Sequence, residues 1–521
     1  MLKKFTSSGS YSTTNKNERD LASHPRGVAT LIDNAFELDF DHSIELQQNK
    51  LDYQHPYPET PILDALEKYL ESSTVNLHIP GHSQGAGILP RLKDLLGDKA
   101  VKADTTDDFD GLGQLNPPEG PIKEAQDLAA KTFGVKHTFF LINGSTVGNL
   151  ALAMTITKPG EKVAIARNCH RSVISGIATS GAVPLWIMPE RIDEWGVWGA
   201  LSPDKVEKML DDNPDVATLW VTNPTYEGVV SDIKAISKIC KNNNVRLIVD
   251  EAHGSHWKFN NNLPDSSVNF DVDAVVHSIH KTAGSFSQSS MLHLPVNSKI
   301  DYDELSCNLR MLQSTSPSYL LLASLDAARA FIESQHGRYR LAKMVYFSEF
   351  VRYQINQIPG CRCLAKSDSI NIDPTKIYII IDGLSGRQLK DILEFEFHIE
   401  TEAKTDNGVL ALANIGNTTS ELEYFLGAIK NIASRKEHYV NKDKPEIKFM
   451  PFSIPEMVCI PREAYFCKKE KILPKDAIGR ISSEILAICP PGIPVLVPGE
   501  RIQKEHLVYL KEKEYIWVVS E

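Results

Sequence analysis

The chain lacks any apolar run long enough to cross a bilayer, which argues against membrane-spanning helices. Eight cysteines in 521 residues are too few and too scattered for a disulfide framework, and Cys361-Arg362-Cys363 is the one close pair. With no C-x-x-C spacing and no Cys/His array, no metal is expected, and the reducing cytoplasm is the simple setting. Neither a Walker loop nor a G-x-G-x-x-G fingerprint occurs; Gly81 to Gly87 is glycine-rich but lacks that spacing. The opening Met1-Leu2-Lys3-Lys4-Phe5 has no apolar h-region behind it, so no secretory signal is expected, and Glu18 and Asp20 argue against a transit peptide. An excess of positive charge is missing too. The net charge of −11 disfavours nucleic acid or an anionic membrane as partner and suits a cationic substrate.

What is present is a set of short β-branched runs, each ending in polar residues. Val245-Arg246-Leu247-Ile248-Val249 reads as a central parallel strand buried on both faces, with Asp250-Glu251-Ala252-His253 at its carboxyl end. Asp273-Ala274-Val275-Val276-His277 has the same character and delivers Ser278, His280 and Lys281 to the same rim. In open α/β sheets ligands bind at that edge. An amine, a carboxylate and phosphate donors together are what pyridoxal phosphate requires: an imine partner, a group that keeps the ring nitrogen protonated, and an anion site. Taken singly, Asp250 reads equally well as a helix cap and Ser278 to Lys281 as a solvated loop.

Upstream runs extend the same rim. His137 to Ile142 leads into Asn143-Gly144-Ser145-Thr146-Val147-Gly148-Asn149 and a helical stretch from Leu150 to Thr157. A strand, a glycine turn and hydroxyls at a helix start make a phosphate cradle, although Ser145 and Thr146 are also ordinary caps. Lys162 to Ala166 ends in Arg167-Asn168-Cys169-His170-Arg171-Ser172, where His170 could stack on a flat ring or simply start a helix. Ala217 to Val221 runs into Thr222-Asn223-Pro224-Thr225-Tyr226-Glu227-Gly228, whose polar residues, Asn223 among them, could bond the cofactor's phenolic oxygen or form a plain turn.

These motifs, together with Leu77-His78-Ile79-Pro80-Gly81-His82, Pro118-Glu119-Gly120-Pro121-Ile122, Ser314-Thr315-Ser316-Pro317, Pro490 to Pro494 and Pro498-Gly499-Glu500, give the chain a resemblance to the Orn/Lys/Arg decarboxylases. The match runs from about residue 55 to 505 and is nearest the short form without an N-terminal receiver-like domain, as in bacterial arginine decarboxylase. The resemblance implies fold type I: a mostly parallel, seven-stranded α/β large domain with smaller α+β C-terminal domains. It implies Lys281 as Schiff-base lysine, Asp250 as partner of the pyridine nitrogen, His170 as stacking residue, and Ser145, Thr146, Ser278 and His280 on the phosphate. His253, in the Asp250 motif, joins the cofactor contacts, and Ser314-Thr315 is implied to reach the neighbouring subunit's cofactor, making a homodimer or larger homo-oligomer the functional unit. Where relatives carry a His-Pro pair before Glu-Gly, this chain has Asn116-Pro117-Pro118, a departure that bears on substrate and not on the cofactor residues.

Organisation follows the rhythm of runs and turns. Residues 1–55 read as a polar, disordered lead-in; 56–335 as the cofactor domain, with strands and helices alternating from about 75; 336–445 as a small α+β domain; 446–521 as a Pro-punctuated C-terminal domain. The small domain's strands are placed at Lys376 to Ile381 and Val409 to Ala413, its helices at Gly386 to Phe395 and Ser420 to Ser434.

The expected reaction is decarboxylation of a basic L-amino acid, in the order arginine (to agmatine), lysine (to cadaverine), ornithine (to putrescine), with polyamine synthesis as its setting. The new C–H bond needs an acid, and both His280 and Lys281 qualify. A guanidinium favours a bidentate carboxylate; Glu463 and the Asp104 to Asp108 cluster are the acids at hand, though each also reads as a solvated residue. Two rivals stand beside this reading: another fold-type-I enzyme, such as an aminotransferase or lyase, and a catalytically silent homologue that regulates a decarboxylase.

Overall fold

The computed structural model describes residues 57–520 apart from 73–74, 107–110, 368, 440–452, 489–492 and 511–512. The polar lead-in, Asp107, Asp108 and Pro490 to Gly492 lie outside the described residues. After helix α1 (Pro61–Glu71) and two short helices comes α2 (Gly120–Phe133), and there the strand–helix alternation begins. It starts later than the expected residue 75, because the 75–118 stretch carries no β-branched run.

The central sheet has seven strands: β1 (His137–Leu141), β2 (Lys162–Ala166), β3 (Val183–Ile187), β4 (Thr218–Thr222), β5 (Arg246–Asp250), β6 (Ala274–His277) and β7 (Ser290–Leu294). Their spatial order is β1-β7-β6-β5-β4-β2-β3. All run parallel except β7, which is antiparallel to both β1 and β6. This is the mostly parallel α/β sheet expected, with an antiparallel member that the strand runs did not reveal.

Side chains alternate across this sheet with the period of two that a pleated strand imposes. On β5, Ile248 packs with Ile165, Trp220 and Val276 under α3 (Gly144–Ile156) and α4 (Arg171–Ser180). Its neighbours Leu247 and Val249 join the opposite cluster, with Ile122 of α2 and Tyr319 and Leu322 of a later helix. Both faces being covered, β4, β5 and β6 are apolar through their interiors, at Leu219 to Val221, Leu247 to Val249 and Val275 to Val276, and polar residues stand at their ends.

Helix α3 opens at Gly144, six residues before the expected start, because Gly144 takes φ +71 and lets the chain turn straight from strand into helix. A short α5 (Ile279–Thr282) follows β6; α6 (Tyr319–Glu333) and the long α7 (Gln335–Asn356) then lead to the small sheet. That sheet is antiparallel, in the order β8 (Cys361–Cys363), β9 (Lys376–Ile381), β11 (Val409–Leu412), β10 (Ala403–Lys404). Its helices α8 (Gly386–Phe397) and α9 (Thr419–Ser434) each begin in a reciprocal capping box, Ser385 with Gln388 and Thr418 with Glu421.

The C-terminal part adds α10 (Pro461–Phe466) and two antiparallel pairs, β12 (Lys469–Ile472) with β15 (Ile516–Val519) and β13 (Leu486–Ile488) with β14 (Ile493–Leu496). One buried ion pair ties it to the central sheet. Arg167, just past β2, donates to Glu500 Oε2 at 2.8 Å and to the Val495 carbonyl at 3.1 Å, and both charged side chains are 0% exposed. Glu500 also accepts from the Val497 N–H. Removing one partner of such a pair leaves the other charge buried against an apolar surround. Glu500→Ala is therefore expected to lower stability by roughly 3–5 kcal/mol, read as a lower urea midpoint; an unchanged midpoint contradicts the assignment.

Candidate active site

The carboxyl ends of β1, β2, β4, β5 and β6 open onto one cavity of 330 Å³. Its floor is the start of α3. Asn143 stands at the N-cap without a side-chain cap bond, so Ser145 and Thr146 occupy the first helical turn and do not cap it. Both line the cavity, where the free N–H groups and positive end of a 13-residue helix favour an anion. Ser145 Oγ lies 2.7 Å from Ser278 Oγ and 3.3 Å from Ser290 Oγ, which brings hydroxyls from three elements together. Gln288 steadies the turn: its carbonyl accepts from Gly144 N–H at 2.8 Å and its amide donates to the Ile142 carbonyl.

Asp250, 3% exposed at the end of β5, faces the same space. Its Oδ2 accepts from Asn149 Nδ2 at 3.0 Å and its Oδ1 from the Ala252 N–H at 3.2 Å. Asn149 also donates to Ser172 Oγ at 2.9 Å, and Ser172 Oγ sits 2.7 Å from His170 Nδ1. His170 starts the helix: Nδ1 caps α4 by accepting from Ser172 N–H, and the residue also lines the cavity. Burial holds its imidazole below the usual range, with Asp250 pulling back and Lys281 adding to the depression.

Lys281 stands in α5 with Nζ 3.0 Å from His253 Nε2. On its far side His253 Nδ1 lies 2.7 Å from Nζ of Lys376, a residue of β9. Burial is the main force on all three. It lowers the Lys281 amine against the pull of Asp250 and Glu402, drives His253 well below its ordinary value, and brings Lys376 to about 7. His280 is lowered as well, and its Nδ1 donates to the Ser289 carbonyl at 2.7 Å.

Of the residues singled out from sequence, Ser145, Thr146, His170, Asp250, His253, Ser278, His280 and Lys281 line this one cavity. Asn223 does not: buried beside Thr222 and Pro224, it accepts from the Ser231 N–H through Oδ1 at 2.8 Å, leaving Nδ2 without a protein partner. Thr315 is exposed and outside the lining, since its loop is fixed to β1 through Gln313, which accepts from the Ile142 N–H. The distal acids are displaced too. Glu463 is exposed on α10, which packs on α4, and Asp104 pairs with His82 at 3.2 Å. Asn149, Asn168, Thr222, Tyr226, Gln288 and Ile493 also line the cavity; Asn149 was within reach of sequence reasoning as the last residue of the Asn143 motif.

Residues 60–401 match the profile of the Orn/Lys/Arg decarboxylase major domain, and 446–516 that of the C-terminal domain of the same enzymes. The chain belongs to the Orn/Lys/Arg decarboxylase family. It is 36% identical to the arginine decarboxylase of Bacillus subtilis over 87% of this chain and 93% of that one. It is 35% identical to the arginine decarboxylase of Halalkalibacterium halodurans, with the same coverage. Among solved structures, lysine decarboxylase A from Pseudomonas aeruginosa superposes with a TM-score of 0.77 at 22% identity, over 92% of this chain and 82% of that one, which shows the shared fold. This decarboxylase is a pyridoxal phosphate enzyme of fold type I. Its cavity fits that group on its own chemistry: a buried amine at Lys281, a carboxylate at Asp250, and uncapped donors at α3 beside the hydroxyls of Ser145 and Ser278.

Below the cavity, His293 of β7 is 0% exposed, with Thr138 Oγ1 at 2.9 Å from Nδ1 and no partner on Nε2. Burial holds it, like His253, well below the histidine range. Below the unfolded value of about 6.5, the unfolded chain takes up protons that the folded chain refuses. The stability present above that pH is lost as pH falls. Urea midpoints are expected to drop between pH 7.5 and 5.5, and His293→Leu to drop less; a flat wild-type profile contradicts this.

Proposed function

We propose that this decarboxylase converts L-arginine to agmatine and CO₂, with lysine and then ornithine as poorer substrates. The observation that carries the reading is the convergence of Lys281, Asp250 and the uncapped start of α3 in one cavity. In this reading Lys281 holds the cofactor covalently, and Asp250, oriented by Asn149, keeps the pyridine nitrogen protonated. Ser145, Thr146, Ser278 and His280 would hold the phosphate, His170 would stack on the ring, and His253 would join the cofactor contacts. When bound, pyridoxal phosphate supplies the sink for the electron pair released as the carboxylate departs.

The remaining work falls to the chain. The carbon that loses CO₂ takes a proton, for which His280 and Lys281 are the two candidate acids. Two carboxylates act through space on Lys281: Asp250, and Glu402, whose Oε1 accepts from Tyr226 O–H at 2.5 Å. With Asp250 committed to the ring nitrogen, Glu402 is the acid assigned to the substrate's cationic end. A guanidinium engages such a carboxylate bidentately, which ranks arginine first.

The functional unit in this reading is a homodimer, acting in the cytoplasm and feeding agmatine to polyamine biosynthesis. Apolar side chains left open on the single chain support the dimer: Leu77 is 94% exposed, Val75 86%, Leu95 80% and Phe286 59%. Exposed Thr315 then serves the neighbouring subunit's site.

Release of CO₂ from arginine, lysine and ornithine, measured beside keto-acid formation, tests the assignment. CO₂ in the order arginine, lysine, ornithine is expected, and Lys281→Ala should abolish both turnover and the bound cofactor's visible absorbance. Keto acid in place of CO₂ would indicate a transaminating relative, and a purified chain that takes up no cofactor would indicate a silent homologue. Turnover surviving at wild-type level in Lys281→Ala would overturn the lysine assignment.

A further inference from the structure

One lysine beside the site has no part in the reaction outlined above. Lys376 opens β9, and its five successors, Ile377 to Ile381, are core residues. The side chain is 1% exposed, and among the described residues its Nζ enters no ion pair. It meets the Tyr226 carbonyl at 3.1 Å and His253 Nδ1 at 2.7 Å, and lies 5.3 Å from the centre of the Tyr226 ring. His253 Nε2 in turn faces Lys281 Nζ at 3.0 Å.

The turn after β4 is built around this lysine. Gly228 adopts φ +100, and a Cβ there would fall 2.6 Å from Lys376 Cβ and 2.8 Å from its Cγ. The carbonyl of Gly228 accepts from the Asp373 N–H at 2.8 Å, and Val230 N–H donates to the Asn371 carbonyl at 2.9 Å. Glycine is what allows the two backbones to approach closely enough for the amine to reach His253. Several charged groups act on that amine: Asp373 from its own segment, Glu227 from the turn, Glu402 from the small sheet, and Lys281 across His253.

At Tyr226 the direction of the contact is fixed, while at His253 it follows the tautomer. A carbonyl can only accept, so Lys376 donates to Tyr226; when it gives a second proton to Nδ1, the neutral imidazole carries its own proton on Nε2. A nitrogen that carries a proton cannot accept one from an ammonium group. It can only donate to the lone pair of a free amine, so the bond favours the uncharged form of Lys281.

We propose that Lys376 is a positioning residue: it holds His253 in the Nε2–H tautomer, and the proton so presented keeps Lys281 a free amine, the form that bonds to an aldehyde. This rests on the decarboxylase reading for its purpose, but not for its test. In Lys376→Met the amine donor is gone while the stem still fills its seat, so His253 is free to place its proton on Nδ1 and offer Nε2 to a charged Lys281.

The test follows capture of pyridoxal phosphate by the cofactor-free protein, read as visible absorbance across pH, beside ¹⁵N NMR of ring-labelled histidines with His253→Gln to assign the signal. The wild-type protein should show His253 protonated on Nε2 and bare on Nδ1. Lys376→Met should move the midpoint of the capture profile upward by about one pH unit, roughly the worth of one hydrogen bond to a charged group, and Lys376→Arg, which keeps donors at that place, should move it less. A wild-type His253 protonated on Nδ1, or a folded Lys376→Met with an unmoved midpoint, would overturn the proposal. The NMR arm needs no variant at position 376, so a poorly folding substitution cannot shelter it. A wild-type chain that captures cofactor normally yet releases no CO₂ would instead defeat the functional reading alone.

Discussion

A sheet covered on both faces confines polar chemistry to the ends of its strands, and that confinement generates this site. Leu247, Ile248 and Val249 are each 0–1% exposed, so β5 can carry a carboxylate at Asp250 and nowhere earlier. The same holds for β6, where His277 still points into the core against Glu251 and Ser278 is the first residue to face the cavity. Five strands ending at one rim place a helix start, a carboxylate and an amine within a single enclosure. Buried groups of this kind persist where each has a partner, and the chain Asp250, Asn149, Ser172, His170 supplies one at every step.

The second consequence is electrostatic. His170, His253, His280, Lys281 and Lys376 crowd a space served by few carboxylates, and burial depresses the proton affinity of all five. Nitrogen bases whose charged form is disfavoured more readily offer a lone pair to an aldehyde or to a proton, which an ammonium cannot do. Perturbed groups gathered in one cleft mark a functional site on physical grounds. The buried Glu251 lies outside the cavity lining, where its Oε1 meets both Ser266 Oγ and His277 Nε2.

Much of this was legible in the chain because the informative residues directly follow β-branched runs. The runs His137 to Ile142, Lys162 to Ala166, Val245 to Val249 and Asp273 to His277 form strands to within a residue or so at their ends, and the polar residues after them reach the rim as the α/β pattern requires. The antiparallel β7 was not legible: Met291 to Leu294 includes a buried histidine, and strand direction leaves no mark in composition. Asn223 read as a cavity donor, but its amide is turned by the Ser231 N–H, a contact eight residues away. Lys376 was hidden for a different reason. A lysine at the head of an apolar strand normally reads as a solvated end, and its burial depends on a turn formed some 150 residues earlier. Ile493 comes to the cavity from the C-terminal part by tertiary packing alone.

The central claim is that the amine of Lys281 bonds to the cofactor opposite the carboxylate of Asp250. Reduction of the pyridoxal phosphate-loaded protein with sodium borohydride, followed by proteolysis and mass spectrometry, reads that bond at one residue. The account predicts a single pyridoxyl group on the peptide carrying Ser278 to Thr282, at Lys281. A pyridoxyl group on Lys376 or another lysine, with Lys281 unmodified, would contradict it.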